Sequence, residues 1–378
     1  MSDHSAQVQR YLDDLAGRGF VGAVGAVDDH GAVTLASAGR LAVGGEPLHT
    51  DAVFRIQSMT KAVTAVATLR LVERGELLLT DPIGAWLPEL ATPRVLRTPT
   101  ADIDDTIAAT RAITVRDLLT LTAGHGMDAT DSPYARAQAD AGVAAGPEPV
   151  DADASDWLAR LATLPLAHQP GEGWRYHHGF MLLGILLSRL VGRRLGEHLA
   201  DDVFEPLGMV DTGFWTPTPG RLPAVHRRTG DGLVEVEPAG GGFHAAEPGF
   251  DVAHGELVST AADYLRFARM LRDDGAVGAE AFLTPVSVAA LHSDQVPLLA
   301  KGPESFGGDF WNGNGWGYGV GVDTSGVHQG RFGWSGGLGT DFSVDPTTGV
   351  ITILLTQTEL APELFGPLLG FRDVLDAE

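Results

Sequence analysis

The chain has 378 residues, 44% hydrophobic and 20% charged, an ordinary globular composition that excludes a disordered or low-complexity protein; at roughly 100–200 residues per domain it holds two domains, or one large domain with an insertion. Its 49 acidic and 26 basic residues give a net charge of −23, which repels nucleic acid and anionic membranes, so neither is expected as a partner. There is no cysteine, which excludes disulfides, thiolate metal sites and a cysteine nucleophile.

Met1-Ser2-Asp3-His4-Ser5-Ala6-Gln7 has neither the basic start nor the apolar core of a secretory signal, and a cytoplasmic location is expected. The most apolar run, residues 180–187, is far short of the roughly 20 residues a membrane span requires. Residues 5–17 read as an amphipathic helix with Val8, Tyr11, Leu12 and Leu15 on one side. Residues 19–27 and 32–38 are β-rich and joined through Asp28-Asp29-His30-Gly31, which predicts an antiparallel hairpin. An extended approach over residues 53–56 then enters a helix that closes near Arg74-Gly75.

From Asp81-Pro82 the character changes. Pro82, Pro88, Pro93 and Pro99 precede helix-like segments at 115–121 and 157–161, and the acid-rich stretch 98–157 reads as a solvated face. Residues 179–191 are apolar all round, which predicts a buried helix. Residues 216–250, rich in proline and glycine, read as a long irregular connection. A helix is expected after a Ser259 or Thr260 cap, strands at 318–322, 327–332, 341–344 and 350–356, and a last helix at 362–375. Strands at both ends without a βαβ rhythm predict one α+β fold, its antiparallel sheet assembled from both termini with helices inserted between. The expected division is an α/β unit of residues 1–90 and 251–378 and a mostly helical unit of residues 91–250.

The chemistry concentrates at Ser58-Met59-Thr60-Lys61. Positions i and i+3 share a helix face, so a hydroxyl and an amine reach one small volume. Lys61 and Lys301 are the only lysines among the 26 basic residues, and a desolvated lysine can serve as a base where arginine cannot. The competing reading is a capping Ser58 with an exposed Lys61. Gly333-Trp334-Ser335-Gly336-Gly337 fits a Gly-x-Ser-x-Gly elbow, but that elbow needs a later histidine and the last one is His328. Residues 313–321 are glycine-rich with no helix after them, so a nucleotide loop is rejected for a turn into an edge strand. His168, His177 and His178 lack the carboxylates and spacing of a metal site, and no metal or cofactor is expected. His125, in Gly124-His125-Gly126, is left without an assigned role.

Three separated stretches resemble the serine β-lactamase and penicillin-binding-protein superfamily, specifically its class C β-lactamase-like esterases. Ser58-Met59-Thr60-Lys61 is similar to the family's Ser-x-x-Lys element, Tyr176-His177-His178 to its Tyr-x-Asn motif, and Trp334-Ser335-Gly336-Gly337 to its Lys-Thr-Gly strand. The resemblance spans roughly residues 10–360 in the right order. It implies a β-lactamase/transpeptidase-like fold, the site lying between an α/β domain and an inserted all-α domain. It also implies an acyl-enzyme on Ser58, with Lys61 and Tyr176 handling protons and the N–H groups of Ser58 and Gly337 forming the oxyanion hole. His178 replaces the family's asparagine and is expected to orient Lys61 while adding a group that titrates near neutrality. Trp334 replaces a lysine that meets the carboxylate of β-lactams, and with Ser335, Gly336 and His125 is expected around the substrate. These departures favour small esters as substrates. A β-lactamase, a D-amino-acid amidase or an acyltransferase is the alternative, and a non-catalytic binding relative a third reading.

Overall fold

The computed structural model describes residues 3–146, 149–150, 152–302, 305 and 308–376; the Met1-Ser2 start lies outside them. Helix α1 (Asp3–Gly17) leads into the hairpin of β1 (Gly22–Asp29) and β2 (Ala32–Gly39). Helices α2 (Thr60–Glu73), α3 (His178–Val191) and α4 (Ala261–Arg272) follow, separated by shorter elements. The C-terminal part supplies β3 (Asn314–Trp316), β4 (Gly321–Asp323), β5 (Phe332–Gly336), β6 (Thr340–Val344), β7 (Val350–Thr356) and α5 (Pro362–Leu369).

These strands form one sheet in the order β3-β4-β5-β6-β7-β1-β2, antiparallel throughout. The N-terminal hairpin joins the C-terminal meander through β1 and β7, Ala23 facing Thr356 and Asp29 facing Val350. Successive side chains point to opposite faces of a strand, and both faces of β1 are covered. Ala23 and Val27 meet Leu12, Leu15, Leu368 and Phe371 on one side, while Val24 and Ala26 join the main core with Phe267 and Leu271 of α4 on the other. Gly25 is required because a Cβ there would stand 2.8 Å from the Phe371 ring. Thr260 is the α4 cap, its hydroxyl accepting the Asp263 N–H at 3.1 Å.

The α+β arrangement read from the sequence is present, with local departures from the expected elements. The insertion, expected to be mostly helical, also carries a short strand pair, Arg94–Leu96 with Thr106–Ala108. Residues 216–250, expected to be irregular, contain the hairpin Val225–Thr229/Gly232–Glu237, closed by the two-residue turn Gly230-Asp231, a hairpin signal hidden among the surrounding glycines. The strand expected at 327–332 is Phe332–Gly336 instead, since pairing with β6 draws the glycine-rich segment into the sheet against its propensity. The last helix stops at Leu369 and tightens into a 3-10 turn over Gly370–Asp373.

Candidate active site

Ser58 lies in a 3-10 turn, Gln57–Met59, ahead of α2. Its side chain caps neither helix, so the capping alternative does not describe it. The turn is fastened from several directions. Phe54–Arg55 pairs with Val258–Ser259, the Ile56 N–H reaches the Leu257 carbonyl at 2.9 Å, Thr340 of β6 donates to the Ile56 carbonyl at 3.0 Å, and Tyr264 of α4 donates to the Met59 carbonyl at 2.9 Å. Gln57 adopts φ +48°, a left-handed conformation costing a non-glycine residue about 1–2 kcal/mol, and non-glycine strain of this kind gathers at functional sites. Gly336 lets β5 press against the turn: a Cβ there would come within 2.5 Å of the Ile56 carbonyl oxygen and 2.8 Å of Gln57 Cβ.

Lys61 is fully buried, its amine 2.9 Å from Ser58 Oγ and 2.6 Å from the His254 carbonyl oxygen. Burial drives its pKa well below the ordinary lysine value. The amine also stands 4.5 Å from the centre of the Tyr176 ring, a contact that favours the ammonium. Desolvation outweighs it, because the amine's hydrogen-bond partners are a hydroxyl and a carbonyl rather than a carboxylate. Tyr176 hydrogen-bonds Ser58 and accepts the Trp334 indole N–H at 2.6 Å. Burial raises its pKa, the two hydrogen bonds opposing the shift.

A cavity of about 570 Å³ opens over these groups. Ser58, Tyr176, Trp334 and Gly337 line it, with Met127 and Phe310 adding apolar wall. The sequence's three distant motifs therefore meet at one cleft. Residues 8–368 match the family model described as Beta-lactamase.

The chain belongs to the β-lactamase family.

It is 32% identical to Esterase EstB of Burkholderia gladioli, covering 96% of this chain and 92% of that protein. It is 37% identical to Protein Rv1367c of Mycobacterium tuberculosis strain ATCC 25618 / H37Rv, covering 83% of this chain and 79% of the relative. The solved structure titled "EstCE1, a hydrolase with promiscuous acyltransferase activity" superposes with a TM-score of 0.80 at 25% identity, covering 99% of this chain and 98% of that one. The fold is thus β-lactamase/transpeptidase-like.

In this β-lactamase-family chain the histidine at the asparagine position of Tyr-x-Asn lies elsewhere than expected. His178 Nε2 bonds the Val143 carbonyl at 2.7 Å, its ring packs 5.6 Å from Trp157, and among the described residues it makes no hydrogen bond to Lys61. Burial lowers its pKa to about 4, so it is neutral near pH 7 rather than titrating there. The backbone reverses at His177, with φ 94° and ψ −70°, immediately before α3. It sends Tyr176 and His178 in different directions and lays the His177 ring 3.7 Å from that of His254. Both rings line the cavity, and burial holds both pKa values well below the ordinary histidine value.

His125 is not among the cavity-lining residues. It is buried, its Nδ1 3.2 Å from the Tyr134 hydroxyl, and burial lowers its pKa to about 3. Its loop serves the site through backbone: Gly126 packs against the Tyr176 carbonyl and the Met127 N–H donates to it at 2.8 Å. Ser335 lines the cavity but its hydroxyl donates to Asp341 at 2.6 Å. Gln57 and His254 carry no role read from the sequence, and His177 enters there only as a rejected metal ligand and as the middle residue of the Tyr-x-Asn-like motif. Their signals are two positive φ angles and a carbonyl contact, none written in residue type.

Proposed function

We propose that this protein hydrolyses small carboxylic esters through an acyl-enzyme on Ser58. The observation that carries the reading is the triangle of Ser58 Oγ, the desolvated Lys61 amine 2.9 Å away, and the Tyr176 phenol bonded to Ser58. A neutral amine keeps a lone pair for the serine proton while donating to the His254 carbonyl, so Lys61 is the base. Tyr176, its phenol kept protonated by burial, relays that proton rather than acting as a tyrosinate.

Ser58 Oγ bonds to the acyl carbon as its proton passes to Lys61. The resulting oxyanion is held by the N–H groups of Ser58 and Gly337, donors worth about 2.7–4 kcal/mol each in comparable sites. Collapse breaks the carbon–oxygen bond to the alcohol, which leaves with the proton returned through Lys61 and Tyr176. Water then attacks the acyl-enzyme, delivers a proton to the same pair and releases the acid and Ser58. An alcohol in place of water would give acyl transfer, and the printed title of EstCE1 lends that second outcome support.

Trp334 speaks against β-lactams as the main substrate, because an indole takes the place of the cation that would meet their carboxylate. The arginines lining the cavity do not supply one. Arg331 is bonded to Asp323 and Asp373, and Arg372 to Asp341. The name Esterase EstB points to esters, and a cleft walled by neutral side chains near the serine suits small uncharged ones. A cytoplasmic location belongs to this reading; among the described residues no helix is long and apolar enough to cross a membrane.

The test uses wild type and Ser58→Ala with short p-nitrophenyl esters and a chromogenic cephalosporin, with intact-mass detection of the adduct. Wild type is expected to turn over the esters faster than the cephalosporin and to carry an acyl adduct. Ser58→Ala should lose the adduct and at least about 10³-fold in kcat. Ester turnover surviving in Ser58→Ala would remove the nucleophile assignment.

A further inference from the structure

Most polar side chains lining the cavity are already engaged within the protein. Ser335 and Arg372 both bond Asp341, Arg331 bonds Asp323 and Asp373, and Glu359 accepts from Arg227. Tyr176 takes the Trp334 N–H, and the nitrogens His177 Nδ1 and His254 Nε2 are sealed from solvent. Two carboxamides are left, Gln57 and Asn314, and Gln57 is adjacent to Ser58 in the chain. The Gln57 side chain is half-buried, bonds no described residue, and is not among the polar atoms sealed from solvent.

Two features place this amide. The left-handed turn at φ +48° sets the direction of the side chain. Glycines leave its surroundings open: a Cβ at Gly337 would stand 3.8 Å from Gln57 Oε1, and one at Gly255 3.9 Å from it. The amide therefore lies beside Gly337, on the oxyanion side of the cleft. Lys61 and Tyr176 return the proton to the departing alcohol, so the alcohol half of a bound ester extends toward them and the acyl half keeps the Gly337 side. A carboxamide presents a donor and an acceptor together. A site built to hydrogen-bond a substrate group rejects the analogue lacking it far more strongly than an apolar wall separates homologues.

We propose that Gln57 is a specificity-determining residue that hydrogen-bonds a hydroxyl or amide on the α or β carbon of the acyl group, so that hydroxyacyl and acylaminoacyl esters are preferred over plain alkyl esters. This deepens the acyl-enzyme reading and rests on it. The test compares kcat/KM on p-nitrophenyl 3-hydroxybutanoate and p-nitrophenyl butanoate for wild type, Gln57→Gly and Gln57→Asn. Glycine and asparagine both tolerate the left-handed backbone, so the variants are expected to fold. The ratio of hydroxy ester to plain ester should fall about tenfold in Gln57→Gly, and by less in Gln57→Asn, which keeps a shorter amide.

Both esters slowing equally, leaving the ratio within about twofold of wild type, would overturn the inference and leave Gln57 as a residue that merely shapes the Ser58 turn. Intact-mass detection of the acyl adduct separates the two levels. An adduct with an unchanged ratio overturns the role of Gln57 alone, whereas no adduct from either ester overturns the acyl-enzyme reading and this inference with it.

Discussion

A lysine amine sealed from water with a hydroxyl and a carbonyl as its hydrogen-bond partners is held against its preference for hydration, and the protonated form suffers most. The folded pKa of Lys61 is therefore depressed below its unfolded value near 10.4. Between the two values the unfolded chain binds the extra proton, so the penalty is absent above the unfolded pKa and grows as pH falls toward the folded one. Lys61→Met, which keeps length and apolar stem, should raise the unfolding free energy at neutral pH by about 1–2 kcal/mol while abolishing ester turnover; an unchanged or lower melting temperature would count against a desolvated amine. On the proposed mechanism the neutral amine is the working form. The kcat/KM profile should accordingly reach its plateau well below the ordinary lysine range and fall on acidification; a limb that rises only near pH 10 would mean Lys61 is charged in the resting enzyme. Trp334→Phe keeps an aromatic, though smaller, side chain and removes the N–H given to Tyr176. A neutral hydrogen bond is worth about 0.5–1.5 kcal/mol, so kcat should fall about three- to tenfold with little change in melting temperature.

Among the elements, β5 carries the most consequence for the site. Gly336 stands where β5 touches the Ser58 turn, and a Cβ would crowd Thr340 Oγ1, the Ile56 carbonyl and Gln57 Cβ at once. Two of those three are fixed by backbone or by the Thr340 to Ile56 hydrogen bond, so the strand rather than its neighbours has to shift. Gly336→Ala should move Gly337 away from Ser58 and lower kcat by about 10²-fold, the cost of a misplacement near 1 Å. Restoration of the rate in a Gly336→Ala, Thr340→Ser double variant is not expected, since the Ile56 carbonyl remains in the way. β5 is also where sequence reading slipped: Phe-Gly-Trp-Ser-Gly has poor strand propensity, and only its pairing with β6 makes it one. The helices were easier. α1 and α4 carry their apolar periodicity, and α3 its continuous apolar run, in the residues themselves, and the Thr260 cap was one of two candidates.

At the scale of the molecule, residue type announced Ser58, Lys61, Tyr176 and the Trp334 strand, because each motif is local in sequence. What residue type could not announce was direction. The turn at His177 carries His178 away from the cleft, and the role of the Gly124–Gly126 loop is played by backbone rather than by the His125 ring. The net charge of −23 belongs to this scale too. Self-repulsion of that size destabilises the compact state and is screened by salt, whereas exposed ion pairs that salt weakens contribute only about 0–1 kcal/mol each. The melting temperature should therefore rise by several degrees between about 10 mM and about 200 mM sodium chloride, a range over which the Debye length falls from roughly 30 Å to under 10 Å; a fall would show that the arginine–carboxylate pairs dominate.

The pairing of β1 with β7 also orders events in time. During synthesis the N-terminal hairpin and the Ser58 turn emerge first, yet the strand that receives the hairpin is residues 350–356 and the hydroxyl that fastens the turn is Thr340. Contacts of such separation form late, since loop closure has to precede them. Until residues 340–356 have left the ribosome, Ser58 does not have Gly337 held beside it. A chain that stops short of residues 340–356 would therefore carry an inert serine, and on the proposed mechanism Ser58 becomes reactive only after those residues have been made.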